Sequence, residues 1–117
     1  MINGTRNWKI THVHSVAQEQ QQLIRVYLQG HVYDWCKSNG QNPFKACDMI
    51  GSINKNWAGT PLQVLYDHYL HRGRGEDYAY AQAARSAGWL LWQVLVEDNR
   101  DFRTTSGYRR SYTWTGH

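Results

Sequence analysis

Phenylalanine, proline and cysteine each occur only twice in this chain of 117 residues, and no apolar run is long. The densest stretch, Trp89 to Val96, is broken by Gln93 and falls far short of the ~20 apolar residues that a membrane-spanning helix needs. No membrane span is expected. Cys36 and Cys47 do not form a CxxC, and two thiols alone cannot build a structural zinc site. Neither metal nor disulfide is needed, because a chain of this size buries roughly two thirds of its unfolded surface on folding. The opening Met1-Ile2-Asn3-Gly4 has no apolar segment of a secretory signal and no glycine at the myristoylation position. The expectation is a cytoplasmic chain in which both cysteines are reduced and serve as small core residues.

Catalytic signatures are equally scarce. The chain has no GxSxG, no Walker lysine-serine pair, no HExxH and no evident Cys-His or carboxylate pair. None of the nine acidic residues stands alone in an apolar stretch where burial would raise its pKa. Asp34, between Tyr33 and Trp35, comes nearest and is placed on an exposed face. Glu97, Asp98 and Asp101 adjoin Arg100 and Arg103 and read as a solvated charge cluster. Four of the six histidines fall into separate pairs, His12 with His14 and His68 with His71, too few in either place to hold a metal. Arg72-Gly73-Arg74-Gly75 reads as a turn between helices rather than a phosphate loop, since no strand precedes it. No cofactor, no metal and no catalytic residue is assigned, and an enzyme is the weaker expectation.

What is present describes one globular domain spanning 1–117. Hydrophobic residues make up 41% and charged residues 19%, a balance that supports a packed core. The formal charge of +4 is only mildly basic. Ser15-Val16-Ala17-Gln18 has the form of a capping box and opens a first helix that runs to Asn39-Gly40, with Leu23, Ile24, Tyr27, Leu28, His31 and Trp35 at helical spacing. Asn42-Pro43 opens a short second helix with Phe44, Cys47 and Ile50 on its inner edge. Thr60-Pro61-Leu62-Gln63, another capping box, opens a third helix that closes at Arg72-Gly73. The fourth, from Glu76 to about Asp98, begins rich in alanine and becomes apolar nearly all round from Trp89 to Val96, as a central helix does.

Two segments read as β. Trp8, Ile10 and His12 alternate with Asn7, Lys9 and Thr11 between Thr5 and His14. Near the end, Tyr108, Arg110, Tyr112 and Trp114 alternate with Arg109, Ser111, Thr113 and Thr115, with Ser106-Gly107 as a turn. The predicted fold is mainly α: a compact bundle of about four helices with a small terminal β element, a C-terminal hairpin that the N-terminal segment can join. Trp89, Leu91, Trp92, Leu95, Leu23, Leu28, Leu65 and Tyr66 are the expected core.

The strongest compositional anomaly is six Trp and eight Tyr beside two Phe. Space alone could be filled by Phe. Trp and Tyr add a polar edge and concentrate at interfaces and ligand sites. With the all-round apolar half of the fourth helix, this favours a non-catalytic protein-interaction module that forms a homodimer. An alternative is nucleic-acid binding by the basic-aromatic tail, where cations neutralise phosphates and rings stack on bases. A third is a pocket walled by Trp and Tyr that takes a small flat or cationic ligand. The candidate binding residues are Trp57, Tyr108, Arg109, Arg110, Tyr112 and Trp114.

Overall fold

The computed structural model describes residues 2–3, 16–50, 57, 59–105 and 110–117. In chain order they form strand β1 (Ile2–Asn3), helix α1 (Gln18–Asn39), strand β2 (Phe44–Lys45), helix α2 (Ala46–Ile50), helix α3 (Gln63–Leu70), helix α4 (Glu76–Glu97), and strands β3 (Phe102–Thr104) and β4 (Ser111–Trp114). The mainly helical fold with a minor β element is the one the sequence predicts. Its details differ in instructive ways.

Helix α4 organises the rest. Leu90, Leu91, Trp92, Gln93, Val94 and Leu95 are all buried, so the apolar second half is covered within this one chain. Ala79, Ala83 and Ala87 are fully buried along the first half. Side chains this small let α3 lie close, with Leu62 and Leu65 driven inward and the Tyr69 hydroxyl 3.0 Å from Ser86 Oγ. Helix α1 packs beside the second half through Ile24, Leu28, Val32 and Cys36, which recur every four residues on one side. Trp89 departs from expectation. It is 37% exposed, because it shares with Arg85, one turn earlier, the strip of α4 turned away from the buried residues.

The sheet order is β1-β3-β4-β2. Strands β3 and β4 are antiparallel, with Phe102 opposite Trp114 and Thr104 opposite Tyr112. The tail therefore is the expected hairpin, and the N-terminus does add a strand. That strand is Ile2–Asn3, paired in parallel with β3. The predicted strand at 5–14 lies outside the described residues, as do Ser15 and the predicted turn Ser106-Gly107. Strand β2 corrects the reading of Phe44 as helical. Phe44 pairs with Tyr112, and the second helix begins only at Ala46. Its start is capped by Asp48, whose carboxylate accepts from the Lys45 backbone N–H at 2.7 Å, not by Asn42. Asn42 instead offers its carbonyl to the Trp35 indole N–H at 3.1 Å, which ties the end of α1 to the sheet.

The two phenylalanines meet where helices and sheet join. Phe44 and Phe102 are 1% and 0% exposed, with ring centroids 6.1 Å apart in an edge-to-face arrangement. Both rings are closed off from water, and Phe carries no polar group that burial there would leave needing a partner. The capping predictions fare less well. At α3, Thr60 Oγ1 donates to the Trp57 carbonyl at 2.7 Å and Gln63 Nε2 donates to Asp67 at 2.8 Å, so the reciprocal box does not close. At α1 the helix starts after Ala17, whose N–H donates to the Gln20 side chain at 3.3 Å. The Gly40 stop is as expected, with φ +58° and its N–H donating to the Cys36 carbonyl.

Phe44→Ala is expected to cost about 3–5 kcal/mol of stability, by lost burial and the cavity left behind. Lys45→Ala, one residue on but facing outward, is expected to change it by less than about 0.5 kcal/mol. Urea denaturation compares the two, and equal midpoints would contradict the packing described.

Candidate functional site

Two features lie together along α1. The first is a cleft of about 540 Å³ lined by Gln29, Tyr33, Cys36, Lys37, Glu97, Asp98, Asn99, Arg100 and Trp114. Its base is a charged network. Asp98, 8% exposed, follows the last residue of α4 and takes the Arg100 side chain in a forked pair, Nε to Oδ1 at 3.0 Å and Nη2 to Oδ2 at 3.1 Å. The Arg100 backbone N–H donates to Oδ1 at 2.8 Å, and the Gln29 amide from α1 donates to Oδ2 at 2.7 Å. Burial by itself would raise the Asp98 carboxyl, but the Arg100 and Gln29 hydrogen bonds and the arginine charge outweigh it and hold it below the usual carboxylate range. Burial likewise raises the Cys36 thiol, and the nearby guanidinium offsets this only in part. Arg100 also lies 5.5 Å from the centroid of the Tyr33 ring, which covers one face of the guanidinium.

The expected solvated charge cluster is thus resolved into parts. Asp98 and Arg100 are a built-in clamp between α1 and the α4–β3 connection, while Glu97 stays exposed. Sequence carries almost no sign of this. An Asp beyond a helix end is common, and only the fold brings Gln29 to it.

The second feature is the outward side of α1. Leu23, Val26 and Tyr33 are 62%, 61% and 54% exposed, and Gly30 lies among them with open space where a side chain would stand. Leu23 was expected in the core. It sits one position before Ile24, on the far side of the row that α4 covers, so α4 cannot reach it. The spacing of three, four and three residues through Leu23, Val26, Gly30 and Tyr33 is that of a helix–helix seam.

The residues predicted to bind are dispersed. Trp57 is 3% exposed and packs edge-on against Tyr80 at 5.8 Å. Tyr112, 6% exposed, is enclosed by Phe44 at 5.7 Å and Trp92 at 5.9 Å, so its ring presents no open face. Arg110 is exposed, and its guanidinium lies 4.9 Å from the Trp92 ring centroid with a hydrogen bond to the Tyr112 side chain. Trp114 is half-buried in the wall of the cleft. Its indole N–H is hidden from water with no acceptor in hydrogen-bonding range among the described residues. Tyr108 and Arg109 lie outside the described residues, as do His12 and His14. The two cysteines differ: Cys36 is core, but Cys47 is exposed, and Met49 is the α2 side chain buried in the core.

Among the described residues no three His, Cys, Asp or Glu side chains converge to hold a metal. No described helix is long and apolar enough to cross a membrane. No family model, curated protein or solved structure matches this chain.

The clamp gives a pH dependence of defined sign. A carboxyl held below its unfolded value, about 3.9 for Asp, stabilises the fold fully above that value, and the contribution is lost as pH falls through the folded pKa. Asp98→Asn is expected to lower stability at neutral pH by about 2–3 kcal/mol and to flatten the decline below about pH 4. Denaturant titrations over the acid range read both effects. A variant whose decline parallels that of the wild type would remove Asp98 from this role.

Proposed function

We propose that this chain is a non-catalytic protein-interaction module that associates with itself, and that the outward side of α1 is the surface it uses. The observation that carries this reading is the exposure of Leu23, Val26 and Tyr33 on the side of α1 opposite its core row of Ile24, Leu28, Val32 and Cys36. A helix packed on the surface of a lone domain ordinarily keeps that side polar. Exposed apolar side chains gathered on one side of a helix, as Leu23, Val26 and Tyr33 are, support reading that side as a contact surface. In the sequence the apolar half of α4, with the surplus of Trp and Tyr, is the motive for expecting association, a subunit contact on that helix being one alternative. That half is enclosed by its own chain except at Trp89, and the most exposed apolar side chains sit on α1 instead.

The same packing weighs between the alternatives. Ring stacking on a nucleic acid requires open ring faces, whereas Tyr112 and Trp92 are closed in and Arg110 lies on Trp92. The cleft offers one Trp and one Tyr beside the Asp98–Arg100 pair, fewer rings than a pocket walled by Trp and Tyr for a flat ligand would bring together.

Sedimentation velocity across the micromolar range is expected to show a concentration-dependent dimer. Leu23→Glu combined with Val26→Glu is expected to leave a monomer with unchanged circular dichroism, since neither side chain contributes to the core. A wild-type chain that stays monomeric throughout would overturn the reading.

A further inference from the structure

The outward row of α1 runs Glu19, Leu23, Val26, Gly30, Tyr33 and Lys37, all exposed. Glu19 and Lys37 are separated by five full turns, so they mark the two ends of one straight row about 27 Å long. The row has an internal symmetry. Reflected about the level of Leu28, Glu19 exchanges with Lys37, Leu23 with Tyr33, and Val26 with Gly30. Each exchange joins chemically complementary partners: acid with base, aliphatic with ring, branched side chain with vacant space. At Gly30 a Cβ would meet nothing within 4 Å, so no contact among the described residues calls for glycine there. In mid-helix a glycine costs roughly 0.5–1 kcal/mol relative to alanine, and a close approach by another backbone or side chain is a reason to keep one.

The geometry points to an antiparallel α1–α1 contact between two copies of this chain, with its two-fold axis at the level of Leu28. This rests on the reading of the chain as a self-associating module and specifies its interface. A two-fold contact is isologous, so each residue meets its counterpart twice. Glu19 of the partner subunit lies against Lys37 at one end, and the exchange repeats at the other. Leu23 of the partner subunit covers the ring of Tyr33. Val26 of the partner subunit enters the space above Gly30. A parallel contact through the same row would instead set Glu19 beside Glu19 of the partner subunit and Lys37 beside Lys37 of the partner subunit. It would also leave Gly30 opposite an equal gap. Charge and shape both select the antiparallel form. Because Tyr33 and Lys37 also line the cleft beside Asp98 and Arg100, the partner's α1 would cross the mouth of that cleft.

Disulfide trapping tests the arrangement, in a Cys47→Ser background because Cys47 is the exposed thiol. Leu23→Cys and Tyr33→Cys proteins are oxidised separately and mixed. In the antiparallel contact positions 23 and 33 face each other, whereas two copies of position 23 stand about 15 Å apart along the helix, beyond disulfide reach. Covalent dimer is expected from the mixture and little from either protein alone. Covalent dimer from Leu23→Cys alone would establish a parallel contact and overturn this geometry, while leaving self-association intact. A wild-type dimer by sedimentation with no trapping in any mixture would place association on another surface and overturn it too. A wild-type monomer would remove both this proposal and the reading beneath it. Charge reversal gives an independent readout. Glu19→Lys and Lys37→Glu are each expected to weaken the dimer roughly fivefold at low salt, and the double variant to regain the wild-type affinity. Singles without effect would again contradict the pairing.

Discussion

Everything in this fold follows from one constraint: the second half of α4 must be covered on nearly every side. Leu90, Leu91, Leu95 and Trp92 project around the helix, and no single neighbour could shelter them all. Helix α1 takes one side. The junction of Phe44, Phe102 and Tyr112 takes another, through the contact of Tyr112 with Trp92. Helix α3 is drawn toward the alanine-lined first half. Strands as short as these would be marginal as a free-standing sheet in water. They persist because their inward residues complete the core around α4.

The same constraint decides what is left over. Helix α1 can turn only one side toward α4, and it spends Ile24, Leu28, Val32 and Cys36 there. Tyr27 and Trp35 flank that row half-buried, and Leu23, Val26 and Tyr33 are left exposed. The Asp98–Arg100 pair, reached by Gln29, ties α1 to the α4–β3 connection, and the inward row leaves Leu23, Val26 and Tyr33 facing out. A charged clamp that is mostly screened from water adds directional bonds where apolar contact alone would permit sliding. Fold and exposed surface are in this sense one problem: burying α4 leaves the outer row of α1 unburied.

Much of this was legible in the residues. The extent of α4, the glycine stop of α1 and the terminal hairpin rest on signals local to each segment: acidic residues in a first turn, a positive-φ glycine, alternation of rings with small polar residues. The failures occur where distant segments decide. Phe44 belongs to a strand because Tyr112 is available to pair with it across the fold. Leu23 looks like a core residue beside Ile24, and only the position of α4 separates the two. Thr60 and Gln63 spell a capping box, yet the Trp57 carbonyl and Asp67 offer them better partners. The proposed surface had a trace in the sequence, since α1 carries apolar residues on more sides than one neighbour can cover. That excess could not be assigned a direction before the inner row was known.

Hydroxyl-radical footprinting of the wild-type chain at low and at high concentration tests the central claim most directly, because it reads side-chain exposure residue by residue. The account predicts that Trp92 is protected at both concentrations, while Leu23 and Tyr33 react when dilute and become protected when concentrated. Strong labelling of Trp92 when dilute, or labelling of Leu23 and Tyr33 that does not change with concentration, would contradict it.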